Sequence, residues 1–247
     1  MLTLAERREP QRLIDAAMLA HRCAIDPGRG TVAESLDRRQ QIIACAAASF
    51  ASRGVAATTV RQIADEVGIL SGSLYHHFDS KETIVEAILA PYLDELRRGY
   101  AQALSGETDP ATRLRRLVHA SLQTAVAHAH ATEIYQNDIN YLRGLARFEY
   151  LRDVARQVQS AWLGVIEAGV REGAFRSDID TRILYRFIRD AVWLSVRWFR
   201  PTADYSTARL AEECATIFLD GLSRPDLGDG TAAARTSTAQ PNPVPAG

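Results

Sequence analysis

From Val60 onward, apolar residues recur at helical spacing. Val60, Ile63, Ala64 and Val67 fall at i, i+3, i+4 and i+7, which predicts a short helix with one face turned inward. Thr58 and Thr59 precede it, where a hydroxyl can accept a free first-turn N–H. Gly68 follows, where a left-handed residue closes a helix. Ile69 plugs the turn, and Ser71-Gly72-Ser73 opens a second short helix. Asp79 or Ser80 caps a third, longer one, and Asp79 with Glu82 has the spacing of a capping box. Upstream, Ile42, Ile43, Ala46, Ala47 and Phe50 share one face of a helix that stops at Gly54. Downstream the pattern predicts further helices over 80–104, 110–129, 133–145, 148–172, 180–200 and 206–222. Pro91 should kink the first of these, and Pro110 is well placed at the first position of the second. The fold class is all-α.

Short helices joined by a tight turn form a helix-turn-helix, whose second helix enters the DNA major groove N-terminus first. The residue types suit that task. Leu70, Ser71, Gly72 and Ser73 are small or neutral enough to let the backbone approach the groove floor. Tyr75 and His76, one turn on, suit phosphate oxygens, and Lys81 lies at the positive end of the next helix, another phosphate site. Thr58, Thr59 and Arg61 complete the candidate DNA-contacting set. Leu74 and Phe78 read as core, His77 stands between packing and contact, and Thr58 can be a cap alone.

The stretch TTVRQIADEVGILSGSLYHHFDSKE resembles the DNA-binding signature of the TetR family of bacterial repressors, and the preceding helix agrees. The resemblance implies a homodimer that sets its recognition helices one DNA turn apart on a pseudo-palindromic operator. It also implies a helical ligand-binding and dimerisation domain in the remainder of the chain. The domains are then expected at 36–82 for the helix-turn-helix and 83–224 for the sensor. Residues 1–35 form an N-terminal extension that departs from the family pattern, and the Pro-, Gly- and Ala-rich 225–247 should be a disordered tail.

Composition adds limits. The 247 residues are 47% hydrophobic and 24% charged, enough for a sizeable core, and the net charge is −1. Within 36–85, Arg38, Arg39, Arg53, Arg61 and Lys81 are balanced by Asp37, Asp65, Glu66, Asp79 and Glu82. Affinity for DNA must therefore come from the placement of Arg38, Arg39, Arg61 and Lys81, doubled by dimerisation. Cys23, Cys45 and Cys214 lack CxxC spacing, and such a scattered set fits a reducing cytoplasm. No run reaches membrane-spanning length and no signal-peptide pattern opens the chain, so a cytoplasmic location is expected. There is no GxSxG elbow, HExxH motif or Gly-rich phosphate loop, which argues against an enzyme or a bound cofactor.

The helix predicted over 180–200 carries the other chemistry. Arg186, Arg189, Trp193, Arg197 and Arg200 follow at steps of three and four, one face of a helix. Ile183, Phe187, Leu194 and Trp198 supply apolar faces, so the helix should be largely buried, and buried arginines need anionic partners. One reading is a salt-bridged dimer interface using Asp190, Glu167, Glu212 or Glu213. The other is a pocket for a large anionic ligand, with arginine forks on phosphates and Trp193 stacked on a flat ring. Ile134–Gln136 and Tyr185–Pro201, together with the reader, are similar to a TetR subgroup that represses the ring-degrading stage of bacterial cholesterol catabolism. That resemblance implies a coenzyme A thioester of a bicyclic steroid remnant as effector, held by Arg189, Arg197 and Trp193, with Arg186 and Arg200 nearby. Tyr135, Gln136 and Tyr141 would add hydrogen bonds at a ketone. A fatty acyl-CoA-responsive repressor is the alternative.

Overall fold

The computed structural model describes residues 32–222, with side chains from Asp37. The expected tail and all but the last positions of the expected extension lie outside the described residues. Helix α1 spans Val32–Arg53, α2 Val60–Val67, α3 Ser71–Tyr75, α4 Lys81–Leu104 and α5 Pro110–Ala127. Then follow α6 Ala129–Leu142, α7 Tyr150–Arg171, α8 Thr181–Trp193 and α9 Thr207–Leu222, with 3-10 turns at Ala146–Phe148 and Leu194–Arg197. Among the described residues there is no strand. None of the described helices is long and apolar enough to cross a membrane. Helix α1 starts earlier than the expected boundary at residue 36.

The ends of these helices follow from local chemistry. The Gln62 N–H donates to Thr59 Oγ1 at 3.2 Å while the Thr59 N–H donates to Gln62 Oε1 at 2.8 Å. This reciprocal pair is a capping box, and it lies at Thr59/Gln62 rather than at Asp79/Glu82. Helix α4 is capped by Ser80, whose hydroxyl accepts the Thr83 N–H at 3.2 Å. Asp109 caps α5 the same way through the Thr112 N–H at 2.8 Å, with Pro110 next. Gly54 and Gly68 adopt φ of 85° and 76°, left-handed values that side chains with a Cβ avoid. Helix α4 passes through Pro91 as one continuous helix.

Packing divides the chain into the helix-turn-helix unit, expected to be the reader, and a helical C-terminal unit, expected to be the sensor. Ile42, Ala46 and Phe50 of α1 meet Ile63, Ala64 and Val67 of α2, closed by Leu74 and Phe78, all buried. In the sensor, α5 packs chiefly on α4 and α9, with α7 and α8 against it. Its core holds a polar chain: Trp162 Nε1 donates to the Tyr100 hydroxyl at 2.8 Å, which shares a 2.7 Å bond with Ser121 Oγ. Helix α6 packs against α1 and thereby joins sensor to reader.

The helix predicted to reach Arg200 ends at Trp193. Ser195, fully buried, turns its hydroxyl onto the Val192 carbonyl at 2.5 Å. Such back-bonding tightens a turn, and the chain continues as a 3-10 segment that advances by about 120° per residue in place of 100°. The arginine stripe is broken there. Ile183, Phe187, Leu194 and Trp198, expected to be buried, are exposed on the single chain, Phe187 at 71% and Trp198 at 67%.

Candidate DNA interface and effector site

Helix α3 stands on Leu74 and Phe78, with the Arg39 guanidinium 4.1 Å from the Phe78 ring centroid. That anchoring leaves the opposite edge free. Leu70 is 80% exposed, Gly72, Tyr75 and His76 are exposed, and Ser71 and Ser73 are half-buried beside them. Thr59 and Arg61 are exposed at the start of α2, on the same unit. Nothing within 4 Å would meet a Cβ at Gly72, so the protein's own packing does not require a glycine there. A glycine inside a helix costs roughly 1 kcal/mol relative to alanine. Gly72 leaves open room on the exposed edge of α3. His77 is half-buried, its pKa lowered by burial and then by Arg38, which favours packing over contact.

Two residues expected to contact DNA make hydrogen bonds within the chain. Thr58 is 1% exposed and its hydroxyl donates to the Gly54 carbonyl at 2.8 Å, so it braces the turn before α2. Lys81 Nζ donates to the carbonyls of Val55 at 2.8 Å and Thr58 at 3.2 Å. Both acceptors lie in that turn, and the ammonium is committed inward.

On the sensor side, Tyr135 is buried with its ring edge-on to Trp193, centroids 6.1 Å apart, and Tyr92 lies 6.0 Å beyond. Burial pushes the Tyr135 phenol up, opposed by Arg143, which keeps it a neutral hydrogen-bonding group. Gln136 Nε2 donates to the Trp193 carbonyl at 2.6 Å, which ties α6 to the end of α8. Arg197 Nη2 donates to Asn137 Oδ1 at 2.7 Å across the same joint. Trp193, Tyr135, Gln136 and Arg197 are thus brought together. Arg189 sits one turn back, paired with Asp190 at 2.7 Å and over the Tyr185 ring at 5.8 Å. Arg186 is exposed and, among the described residues, without an ion pair. Arg200 turns to the carbonyls of Val196 and Phe199. Tyr141 is exposed. Of the acidic partners expected for the arginines, Glu212 is held by Arg115 and His119, and Glu213 by Arg209 and the Tyr205 hydroxyl.

The sequence reading missed Asn137 and Asp138. Asp138 is 9% exposed, and its Oδ1 accepts the Val55 N–H at 3.1 Å from the reading unit. A carboxylate at i+4 from Ile134 and i+3 from Tyr135, on the buried face of α6, was the available signal.

A helix-turn-helix resting on a helical C-terminal domain is the architecture of a DNA-binding transcriptional regulator. Residues 42–88 match the model of the bacterial regulatory proteins of the tetR family, and residues 107–222 match a tetracyclin repressor-like C-terminal domain. The chain belongs to the TetR family, whose members are DNA-binding regulators rather than enzymes. Among its relatives, the HTH-type transcriptional repressor KstR2 of Rhodococcus jostii is 45% identical over 188 residues, 76% of this chain and 92% of the relative. KstR2 of Mycobacterium tuberculosis is 43% identical over 76% of this chain and 94% of its own length. The solved structure described as the ketosteroid transcriptional regulator KstR2 of Mycobacterium tuberculosis superposes with a TM-score of 0.70 at 42% identity, covering 76% of this chain and 95% of that one.

Proposed function

We propose that this protein is a cytoplasmic homodimeric repressor of steroid-ring catabolism genes, released from a pseudo-palindromic operator by an acyl-CoA thioester derived from a bicyclic steroid remnant. The observation that carries the reading is the aromatic and cationic group at the α6–α8 joint, one helix away from the DNA-reading unit. Trp193 and Tyr135 offer flat apolar walls to a fused-ring head. Arg189, Arg197 and Arg186 offer forks for the anionic phosphates of the coenzyme, at the cost of exchanging the Asp190 and Asn137 contacts they now make. Gln136 and the Tyr135 hydroxyl can hydrogen-bond a ketone. The similarity to repressors named KstR2, one described as a ketosteroid regulator, supports the same ligand class.

On the DNA side, Leu70, Ser71, Gly72 and Ser73 face base edges while Thr59, Arg61, Tyr75 and His76 hold phosphates. The exposed apolar face of Ile183, Phe187 and Trp198 on and after α8, with Ile217 on α9, is covered by a second copy of the chain. Large exposed aromatics mark an association surface, and regulators of this family work as dimers. Effector binding favours a dimer whose readers are splayed and so shifts the population off DNA, with a coupling of roughly 1–3 kcal/mol.

The test is fluorescence anisotropy of the full chain on labelled DNA from its own upstream region, titrated with steroid-derived and fatty acyl-CoA thioesters. Release by the bicyclic steroid thioester alone supports the reading. Release by long-chain fatty acyl-CoA alone replaces it with a lipid-metabolism repressor, and release by neither removes the thioester.

A further inference from the structure

The turn between α1 and α2 is held from two sides at a single residue, Val55. The Val55 N–H is taken by Asp138 Oδ1 of α6 at 3.1 Å, and the Val55 carbonyl is taken by Lys81 Nζ at the start of α4 at 2.8 Å. Val55 itself is buried, at the place where Gly54 turns through φ 85° and leads directly to the Thr59 cap of α2. Asp138 is the sensor's contribution to this clamp. On α6 it immediately follows Gln136 and Asn137, which bond to the Trp193 carbonyl and to Arg197.

We propose that Asp138 is the positioning residue through which α6 holds the DNA-reading unit in its operator-binding arrangement, and that effector bound against Tyr135, Gln136 and Trp193 acts by withdrawing it from Val55. The effector half of this statement rests on the function proposed above, whereas the holding role does not.

The environment of Asp138 suits a joint that must open. Its Oδ2 is buried and, among the described residues, has no hydrogen-bond partner. Burial raises its pKa, opposed by the Val55 N–H and then by the Lys81 charge. A buried carboxylate with one oxygen unsatisfied is held less firmly than a fully paired one. Its Oδ1 also lies 3.4 Å from where a Cβ on Gly54 would stand, so α6 passes close to the Gly54-Val55 turn. Because three consecutive residues of α6 link to α8 on one side and to the reader on the other, a rotation of this single helix moves both contacts.

The experiment compares the full-length wild type, Asp138→Ala and Asp138→Asn on labelled upstream DNA with no thioester present. Alongside, melting temperature, dimer mass and hydrogen exchange at the Val55 amide are measured. Removing the acceptor is expected to weaken operator binding by about tenfold and speed Val55 exchange, with the dimer intact, whereas Asp138→Asn, which keeps an acceptor oxygen, stays within about twofold of wild type. Wild-type operator affinity in Asp138→Ala despite faster Val55 exchange would overturn the proposal, as would Asp138→Asn falling as far as Asp138→Ala. If Asp138→Ala does not fold, the wild type decides through Val55 protection with and without a releasing thioester. Loss of protection on release supports the withdrawal, and unchanged protection overturns it. If no thioester releases the wild type, the effector reading fails while the DNA-only comparison still decides the holding role.

Discussion

Phe187 gives the sharpest test of the dimer. It stands 71% exposed on the single chain, one helical turn from the exposed Ile183. Fully burying a phenylalanine contributes about 2–3 kcal/mol, so covering the open share contributes roughly 1.5–2 kcal/mol. A twofold axis uses each residue twice, which doubles that to about 3–4 kcal/mol for the pair. Phe187→Glu removes this and adds a carboxylate to a surface that must lose water, so 3–4 kcal/mol is a lower bound. Since about 1.4 kcal/mol is tenfold in an equilibrium constant, the dimer should weaken by two to three orders of magnitude or more. The reading unit is built from α1–α3 and the start of α4, so it should stay folded. Sedimentation velocity at micromolar concentration should then show monomer with a wild-type circular dichroism spectrum. Operator affinity should fall sharply, because the second half-site contact ceases to be intramolecular. A variant that stays dimeric and binds operator within a few-fold of wild type would refute the assignment of this face.

Other substitutions report on other links. Arg189→Ala and Trp193→Ala should keep operator binding and lose thioester-driven release, read by anisotropy; failure of either to dimerise would make the cluster structural. Gly169 lies against Phe175, whose ring carbons fall 2.1–2.7 Å from where a Cβ would stand, so Gly169→Ala should cost about 1–3 kcal/mol in chemical denaturation through overpacking. Asp109→Ala should cost about 1 kcal/mol by removing the α5 cap. The Thr112 hydroxyl and then its N–H lower the Asp109 pKa from the ordinary 3.8. Its folded value therefore lies below its unfolded one, so the stabilisation is complete above the unfolded pKa and disappears as pH falls through the folded one. Wild type and variant should converge in acid and differ by a constant amount near neutrality.

What could be read directly from the sequence was whatever local periodicity and capping chemistry encode. The stripe Val60–Ile63–Ala64–Val67, the glycine stops at Gly54 and Gly68, and the Asp109-Pro110 start each depend on residues a few positions apart, and the structure keeps them. The exposed edge of α3 was legible for the same reason, since exposure of Leu70, Gly72 and Tyr75 follows from Leu74 and Phe78 facing inward. Tertiary structure decided whatever depends on partners distant in the chain. Lys81 carries a group suited to phosphate, yet the Val55 and Thr58 carbonyls, 26 and 23 residues earlier, accept hydrogen bonds from it. The arginine stripe assumed a helix to Arg200, but the buried Ser195 tightens the turn and sends Arg197 to Asn137, 60 residues away in sequence. Asp138 meets Val55 across 83 residues. Helical phase assigns a side chain to a face, while only the packing of α6 between α1 and the 3-10 segment after α8 determines what that face touches.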